Sequence, residues 1–345
     1  MTIIRTGIST TKWLAGASAL LCALMTGCGK HSDSGSAPGK PGAVVLRIGY
    51  QKQGAMNLLR LRGDLEKKLA PQGVSVQWLN FPAGPQLMEG IGANSVDIGS
   101  VGDTPCIFAQ AANNPFVYIA NTPPGKRETV GFLVAKDSLI RSSRDLKGKK
   151  VAFQLGSGST YWLVQALEHA GLSYKDIHPV NLSPPDAMAA FSSGALDAWT
   201  TWDPYVTIAQ RQTGARLLTD DTQEVTAGGF YIARRAFAVE HPDLIKIALE
   251  ETKRTSNWSV QHPHEAAAIL APNLGLDVAS EEEIIRRGTT TNYHAIDADV
   301  LALQQREADT FFKMGLIPRH LDVRENALTP QQYALLQPSL QASIE

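Results

Sequence analysis

Pro85, Met88, Val96 and Asp97 recur one hundred residues later as Pro185, Met188, Leu196 and Asp197, each set spanning an expected helix followed by a short apolar strand. An interval that long does not suit a solenoid, whose repeats run to about 20 to 50 residues, and points instead to two similar α/β lobes. Gln51 after the first expected strand likewise matches Gln154 after Val151 to Phe153. At 345 residues the chain can fill two cores, and 43% apolar with 19% charged residues is ordinary globular composition.

The first lobe reads as alternating strands and helices, which implies a mostly parallel sheet. Strands are expected at Val44 to Tyr50, Val74 to Phe81 and Val96 to Ser100, with helices at Asn57 to Leu69 and Gln86 to Gly92. Pro105 suits the first position of a further helix that Asp103 or Thr104 can cap. Thr129 to Lys136 and Gly228 to Arg234 read as extended crossings between the lobes. Helical segments follow at Pro242 to Ala271, Ser280 to Arg287 and Asp299 to Met314, the last partly amphipathic and assigned to packing on the first lobe.

Val151 to Gly171 reads as strand, tight turn and helix, with Leu163, Ala166, Leu167 and Ala170 on one face and Gly171 at the stop. Between strand and helix lies Gly156-Ser157-Gly158-Ser159-Thr160. Small residues let a ligand approach the backbone, and the unpaired first-turn amides at the positive end of the macrodipole favour an anion. No lysine or arginine falls inside the turn, so it suits a singly charged oxyanion held by hydrogen bonds. The same hydroxyls can instead simply cap the helix. A P-loop is excluded because Ser159, not lysine, follows Gly158, and the dinucleotide fingerprint fails because Tyr161 stands where its third glycine belongs. A net charge of −1 without a dense basic run gives no bulk electrostatic attraction for nucleic acid.

Residues 1–27 read as an export signal: Arg5 and Lys12 precede an apolar run from Trp13 to Met25 that is too short to span a bilayer. Met25-Thr26-Gly27-Cys28 resembles the lipobox of bacterial lipoproteins, with methionine in place of the usual leucine, so Cys28 is the expected lipidation site. The alternative is ordinary cleavage and a free periplasmic protein. Residues 28–43 form a tether rich in Gly, Ser and Pro. Cys22 lies in the signal and Cys28 would be acylated, which leaves Cys106 as a lone cysteine with no intramolecular disulfide expected.

LRIGYQKQGA at Leu46 to Ala55, FPAGPQLMEGI at Phe81 to Ile91, VDIGSVGDTPCIFAQAA at Val96 to Ala112, DLKGKKVAFQLGSGST at Asp145 to Thr160 and LDAWTTWDPY at Leu196 to Tyr205 stand in order along the chain. From Leu46 to about Asn326 the chain resembles the aliphatic sulfonate-binding proteins, the extracytoplasmic solute-binding subunits of ABC importers, which are related to taurine and nitrate binders. The resemblance implies a type II periplasmic-binding-protein fold: two α/β lobes joined by two crossover strands, with a ligand cleft between them. It divides the chain into lobe 1 at 44–130 plus 231–329, lobe 2 at 131–230 and a C-terminal tail at 330–345. It implies capture of a small alkanesulfonate that supplies sulfur, delivery to an ABC permease with its ATPase subunits, membrane attachment through a lipid on Cys28, a monomer, and no cofactor or metal.

Carried over residue by residue, the resemblance puts Gln51, Gly54, Gly102, Asp103, Thr104, Gln154, Gly156, Ser157, Gly158, Ser159 and Thr160 around the oxyanion, and Trp202 and Asp203 near the organic tail. Leu155 and Gly158 depart from polar positions often seen around this turn. Arg286-Arg287-Gly288-Thr289 is irregular for the family, so no arginine is assigned to the site. Asp103 and Asp203 each precede an expected helix and can cap it rather than touch ligand. An enzyme is disfavoured: no H-E-x-x-H motif and no G-x-S-x-G elbow occurs, and Cys106 has no sequence-local base. The rival cargos are taurine, nitrate, a sulfate ester or a pyrimidine precursor.

Overall fold

The structure is a computed structural model that describes residues 44–122, 130–218, 228–288 and 293–336. Its strands are β1 (Val45–Tyr50), β2 (Ser75–Asn80), β3 (Ile98–Gly102), β4 (Phe116–Thr122), β5 (Val130–Val134), β6 (Lys150–Phe153), β7 (His178–Asn181), β8 (Ala198–Trp202), β9 (Arg216–Leu217) and β10 (Gly229–Arg234). They form two five-stranded sheets, ordered β2-β1-β3-β10-β4 and β7-β6-β8-β5-β9. β1 pairs in parallel with β2 and β3, and β6 in parallel with β7 and β8. In each sheet the strand one in from the edge, β10 or β5, runs antiparallel to both neighbours. The expected crossings therefore end as inserted strands, one in each sheet. The passages between the sheets, Thr129 among them, lie outside the described residues, as do the expected signal segment, Cys28 and the tether.

The hundred-residue echo has a physical basis. Asp97 accepts a bond from the amide of Arg47 at 2.9 Å and returns one from its own amide to the Arg47 carbonyl at 2.8 Å. Asp197 does the same with Lys150, at 2.8 and 3.0 Å. Each aspartate thus locks the start of one central strand to the next and repeats the register of one sheet in the other. Asp97 is the more buried, and burial works against its charge. Bonds from Arg47 and Arg234 outweigh that cost and hold its carboxyl below the usual range.

The helices that matter for the cleft are α1 (Ala55–Arg62), α2 (Asp64–Leu69), α3 (Gly84–Gly92), α4 (Asp103–Ala111), α5 (Gly158–His169), α6 (Pro184–Ser192) and α7 (Tyr205–Thr213). The single helix expected over Asn57 to Leu69 is two, because Gly63 adopts φ +65° and its amide closes α1 on the carbonyls of Leu59 and Arg60. Further on come α8 (Arg235–Glu240), α9 (Pro242–Gln261), α10 (Pro263–Leu274), α11 (Val278–Arg286), α12 (Ala298–Lys313) and α13 (Pro330–Leu336). The long helical region expected from Pro242 breaks at His262, where Pro263 starts α10.

The α12 helix packs on the first lobe, as expected, and reaches the second lobe as well. Its Ala308 and Phe311 join Ile107 of α4 and Val164 of α5 in one apolar cluster. The Phe311 ring meets Phe108 at 5.3 Å and Tyr161 at 5.7 Å, so the helix seals a groove that α4 and α5 form together. Pro330–Leu336, assigned to the tail, forms α13, whose Tyr333 hydroxyl donates to the Tyr118 carbonyl at 2.9 Å on the first lobe. No helix among the described residues is long and apolar enough to cross a membrane.

Candidate functional site

Parallel strands followed by helices place the helix starts at one edge of each sheet, and here the two edges face each other. A cavity of about 250 Å³ lies between them. Its wall includes the starts of five helices: α1 at Gly54 and Ala55, α3 at Gly84, α4 at Gly102 and Asp103, α5 at Ser157 and Gly158, and α7 at Pro204 and Tyr205. Five positive dipole ends directed at one small space favour an anion there. Lys52 is the one cation among the described lining residues.

The turn before α5 is held by its own hydroxyls. The Gln154 carbonyl accepts from Ser157 Oγ at 2.8 Å and Thr160 Oγ1 at 2.9 Å. The amides of Gln154 and Gly156 donate to Ser159 Oγ and Thr160 Oγ1, both at 3.0 Å, and Ser157 Oγ lies 2.7 Å from Ser159 Oγ. The amides of Gly158 and Ser159 keep no partner among the described residues, as expected for the first turn of a helix. Gly158, which carries one of these two amides, forms part of the cavity wall. A Cβ at this position would stand 2.7 Å from the Trp162 ring, which occupies the space a side chain would need.

Across the cavity, Asp103 accepts from the amides of Thr104 at 2.8 Å and Gly228 at 3.1 Å, which ties the returning chain to the start of α4. The Thr104 hydroxyl donates to the buried Glu307 of α12. Burial pushes the Asp103 carboxyl up against the amide bonds that favour its charge. Burial, and then the Asp103 charge, push Glu307 well up. No cation bonds either carboxyl among the described residues, so burial and mutual repulsion both work against their charged forms. Cys106, one turn along α4, is fully buried, and its thiol is pushed up by burial first and by these two acids second.

Asp203 holds the start of α7 through Thr207, whose amide and hydroxyl donate to Oδ1 at 3.1 and 2.7 Å. Its other oxygen pairs with Arg287 at 3.0 Å, and that guanidinium also donates to Thr207 Oγ1 at 2.7 Å. Burial raises the Asp203 carboxyl although Arg287 opposes the shift. Nearby, Gln53 donates to Glu281 of α11 at 2.8 Å, and burial pushes that carboxyl up to about 7. Arg287 follows α11, which packs on α9 and α10 beside the first sheet, so its pairing with Asp203 joins the two lobes behind the cavity. A second bond between lobes runs from Gln154 Nε2 to Gln86 Oε1 at 3.0 Å.

The model of the NMT1/THI5-like family matches residues 70–266. The chain belongs to that family. A protein of Escherichia coli (strain K12) named as aliphatic-sulfonate-binding is 40% identical over 288 residues, 84% of this chain and 90% of the relative. The alkanesulfonate-binding protein of Xanthomonas axonopodis pv. citri, solved bound to MOPS, aligns with TM-score 0.78 at 32% identity, over 83% of this chain and 98% of that one. The periplasmic aliphatic sulphonate binding protein of Escherichia coli aligns with TM-score 0.73 at 39% identity, over 83% of this chain and 92% of that one.

In this member of the family the cavity wall brings together Gln51, Gly54, Gly102, Asp103, Ser157, Gly158, Trp202 and Asp203. Thr104, Gln154, Gly156, Ser159 and Thr160 are buried behind that wall and shape it. Gln51 both lines the cavity and pins its loop, donating to the Ser100 carbonyl at 3.1 Å. Gly54 takes φ +108°, a conformation that favours glycine, at the point where that loop enters α1. Leu155 is exposed beside the turn and is not part of the wall. Sequence reasoning did not single out Tyr50, Lys52, Met56, Trp162, Tyr205 or Tyr231, all of which line the cavity. The signal was present for Lys52 and Tyr50, which flank Gln51. Arg287, left unassigned, stands one layer behind the wall on Asp203.

Proposed function

We propose that the protein is an extracytoplasmic solute-binding protein that captures an aliphatic sulfonate between its lobes for an ABC importer. The observation that carries this reading is the Gly158 amide, unpartnered at the start of α5 on the wall of a small cavity ringed by helix starts. A sulfonate is a weakly basic monoanion with three acceptor oxygens and a carbon tail. Backbone donors serve its oxygens, and the aromatic wall serves the tail. Acidic groups beside the seat disfavour a dianion more than a monoanion, which separates sulfonate from sulfate. Sulfonate-binding relatives at 40% and 32% identity support the choice of headgroup.

We place the protein among binders rather than enzymes, because the buried Cys106 and the tied carboxylates leave no activated nucleophile beside the cavity among the described residues. Attachment through a lipid on Cys28 and docking to a permease with its ATPase subunits complete the proposal. The two lobes would close over ligand by a hinge motion.

Calorimetric titration with ethanesulfonate, taurine, nitrate and sulfate tests the reading. Ethanesulfonate should bind with an affinity that changes little on adding moderate salt, because hydrogen bonds in a closed cleft are screened less than exposed ion pairs. Binding of sulfate or nitrate in preference to every sulfonate would reassign the cargo, and turnover of a bound sulfonate would reassign the class.

A further inference from the structure

We infer that Arg287 is the latch of the cleft: the lobes pivot where α4, α5 and α12 share one apolar cluster and part where α11 meets α7, so the Arg287 pair must break before a ligand leaves. The inference rests on the proposed sulfonate seat and hinge closure, and adds the residue that governs release. The two lobes meet in chemically different ways. On one side Ile107 of α4, Val164 of α5 and Phe311 of α12 lie in a single buried cluster. Parting them would bring apolar surface of both lobes into water, so that junction stays shut and serves as the pivot. Where α11 meets α7, no apolar cluster among the described residues crosses between the lobes. Ile285 of α11 packs with α1 and α10 of the first lobe, and Val206 and Ala209 of α7 pack within the second.

The contacts that do cross there are polar. Arg287 reaches Asp203 Oδ2 at 3.0 Å and Thr207 Oγ1 at 2.7 Å, and Arg211 of α7 reaches Glu283 of α11 at 3.6 Å. Polar groups can exchange a protein partner for water as a gap opens, which apolar groups cannot. The Arg211 pair is more than half exposed and weak for that reason. The Arg287 pair is the opposite: its carboxylate side chain is fully buried, so the two charges must separate before water can reach them. No ligand atom takes part in this pair, so it resists opening with the cavity filled or empty. The other oxygen of Asp203 holds the start of α7, and Pro204 and Tyr205 there form part of the cavity wall, so that piece of wall moves with the latch. The further bond between lobes, from Gln154 to Gln86, is a single neutral one.

The test follows ethanesulfonate binding and release by stopped-flow tryptophan fluorescence, with small-angle X-ray scattering of the ligand-free protein as a readout that needs no ligand. Arg287→Met should speed dissociation by about tenfold or more without slowing association, and should enlarge the radius of gyration relative to wild type. Arg287→Lys keeps the charge without the fork and should fall between the two. Thr207→Val removes one of the two groups that the guanidinium bonds across the lobes and should act in the same direction, more mildly, which keeps the inference testable if Arg287→Met folds poorly by circular dichroism. Arg211→Gln, at the exposed pair, should change dissociation by less than about twofold. Dissociation unchanged in both Arg287→Met and Thr207→Val, or faster dissociation with slower association at an unchanged radius, overturns the latch and leaves the sulfonate seat standing. If ethanesulfonate does not bind wild type, the seat fails instead, and the scattering decides the latch alone: a larger radius in Arg287→Met supports it and an equal one overturns it.

Discussion

Replacing Arg287 by methionine removes the cation from a buried ion pair and leaves its anion in place. The Asp203 side chain is fully buried and that of Arg287 is 13% exposed, so water can do little to replace the lost partner. Breaking such a pair from one side costs about 3 to 5 kcal/mol. For a protein of this size that corresponds to a Tm drop on the order of 10 °C. The loss should depend on pH. Burial already raises the Asp203 carboxyl with Arg287 present, and without it Asp203 rises further and takes up a proton as pH falls. The deficit of Arg287→Met should therefore be large at pH 8 and shrink toward pH 5. Adding Asp203→Asn to Arg287→Met should recover part of the loss, because no buried charge then remains. Glu281 and Glu283 also face this guanidinium, so the same series in a Glu281→Gln background separates their share. Thermal unfolding from pH 5 to 8 gives the numbers. A loss under about 1 kcal/mol, or one equal at both ends of the range, would refute the view that this pair matters because it is buried.

Glu281 has a carboxyl raised to about 7 from 4.5, so its contribution to stability is complete below about pH 4.5 and disappears as pH rises through 7. Glu281→Gln, which can still accept from Gln53, should flatten that slope and exceed wild type at pH 8 by up to about 3 kcal/mol in chemical denaturation; an unchanged slope counts against it. Phe311→Ala empties the junction of α4, α5 and α12 and should cost about 3 to 5 kcal/mol, read in the same denaturation assay, whereas a loss near zero would show that the groove collapses around the gap. Wild type should sediment with membranes and Cys28→Ser should not, as stable anchoring by acyl chains requires; identical partitioning and mass would remove the lipid anchor from the proposal.

The duplicated architecture was legible because a register lock needs one residue type at one place. Asp97 and Asp197 answer the same backbone amide in each sheet, and their interval exposes the repeat. The turn at Gly156 to Thr160 was legible for a similar reason, since strand, small residues and helix follow one another locally. The use of its hydroxyls was not. Nothing in the string distinguishes a serine that ties its own turn from one that faces a ligand, and Ser159 and Thr160 do the former. Asp203 could be read as a cap, and it is one, yet its ion pair lies 84 residues away in a segment with no local pattern to announce it. The Gln53 to Glu281 bond spans 228 residues and was out of reach in the same way. Trp162 was hidden by its spacing, because an aromatic on the first turns of an amphipathic helix reads as core until its position over Gly158 is seen.

The start of α5 is proposed to hold a sulfonate between the two lobes. A crystal structure of the protein grown with ethanesulfonate tests it most directly. The sulfonate is expected in the cavity with an oxygen about 2.7 to 3.0 Å from the Gly158 amide and the ethyl group toward Trp162 and Trp202. A sulfonate bound elsewhere, or one in the cavity whose oxygens avoid the α5 amides, would contradict it.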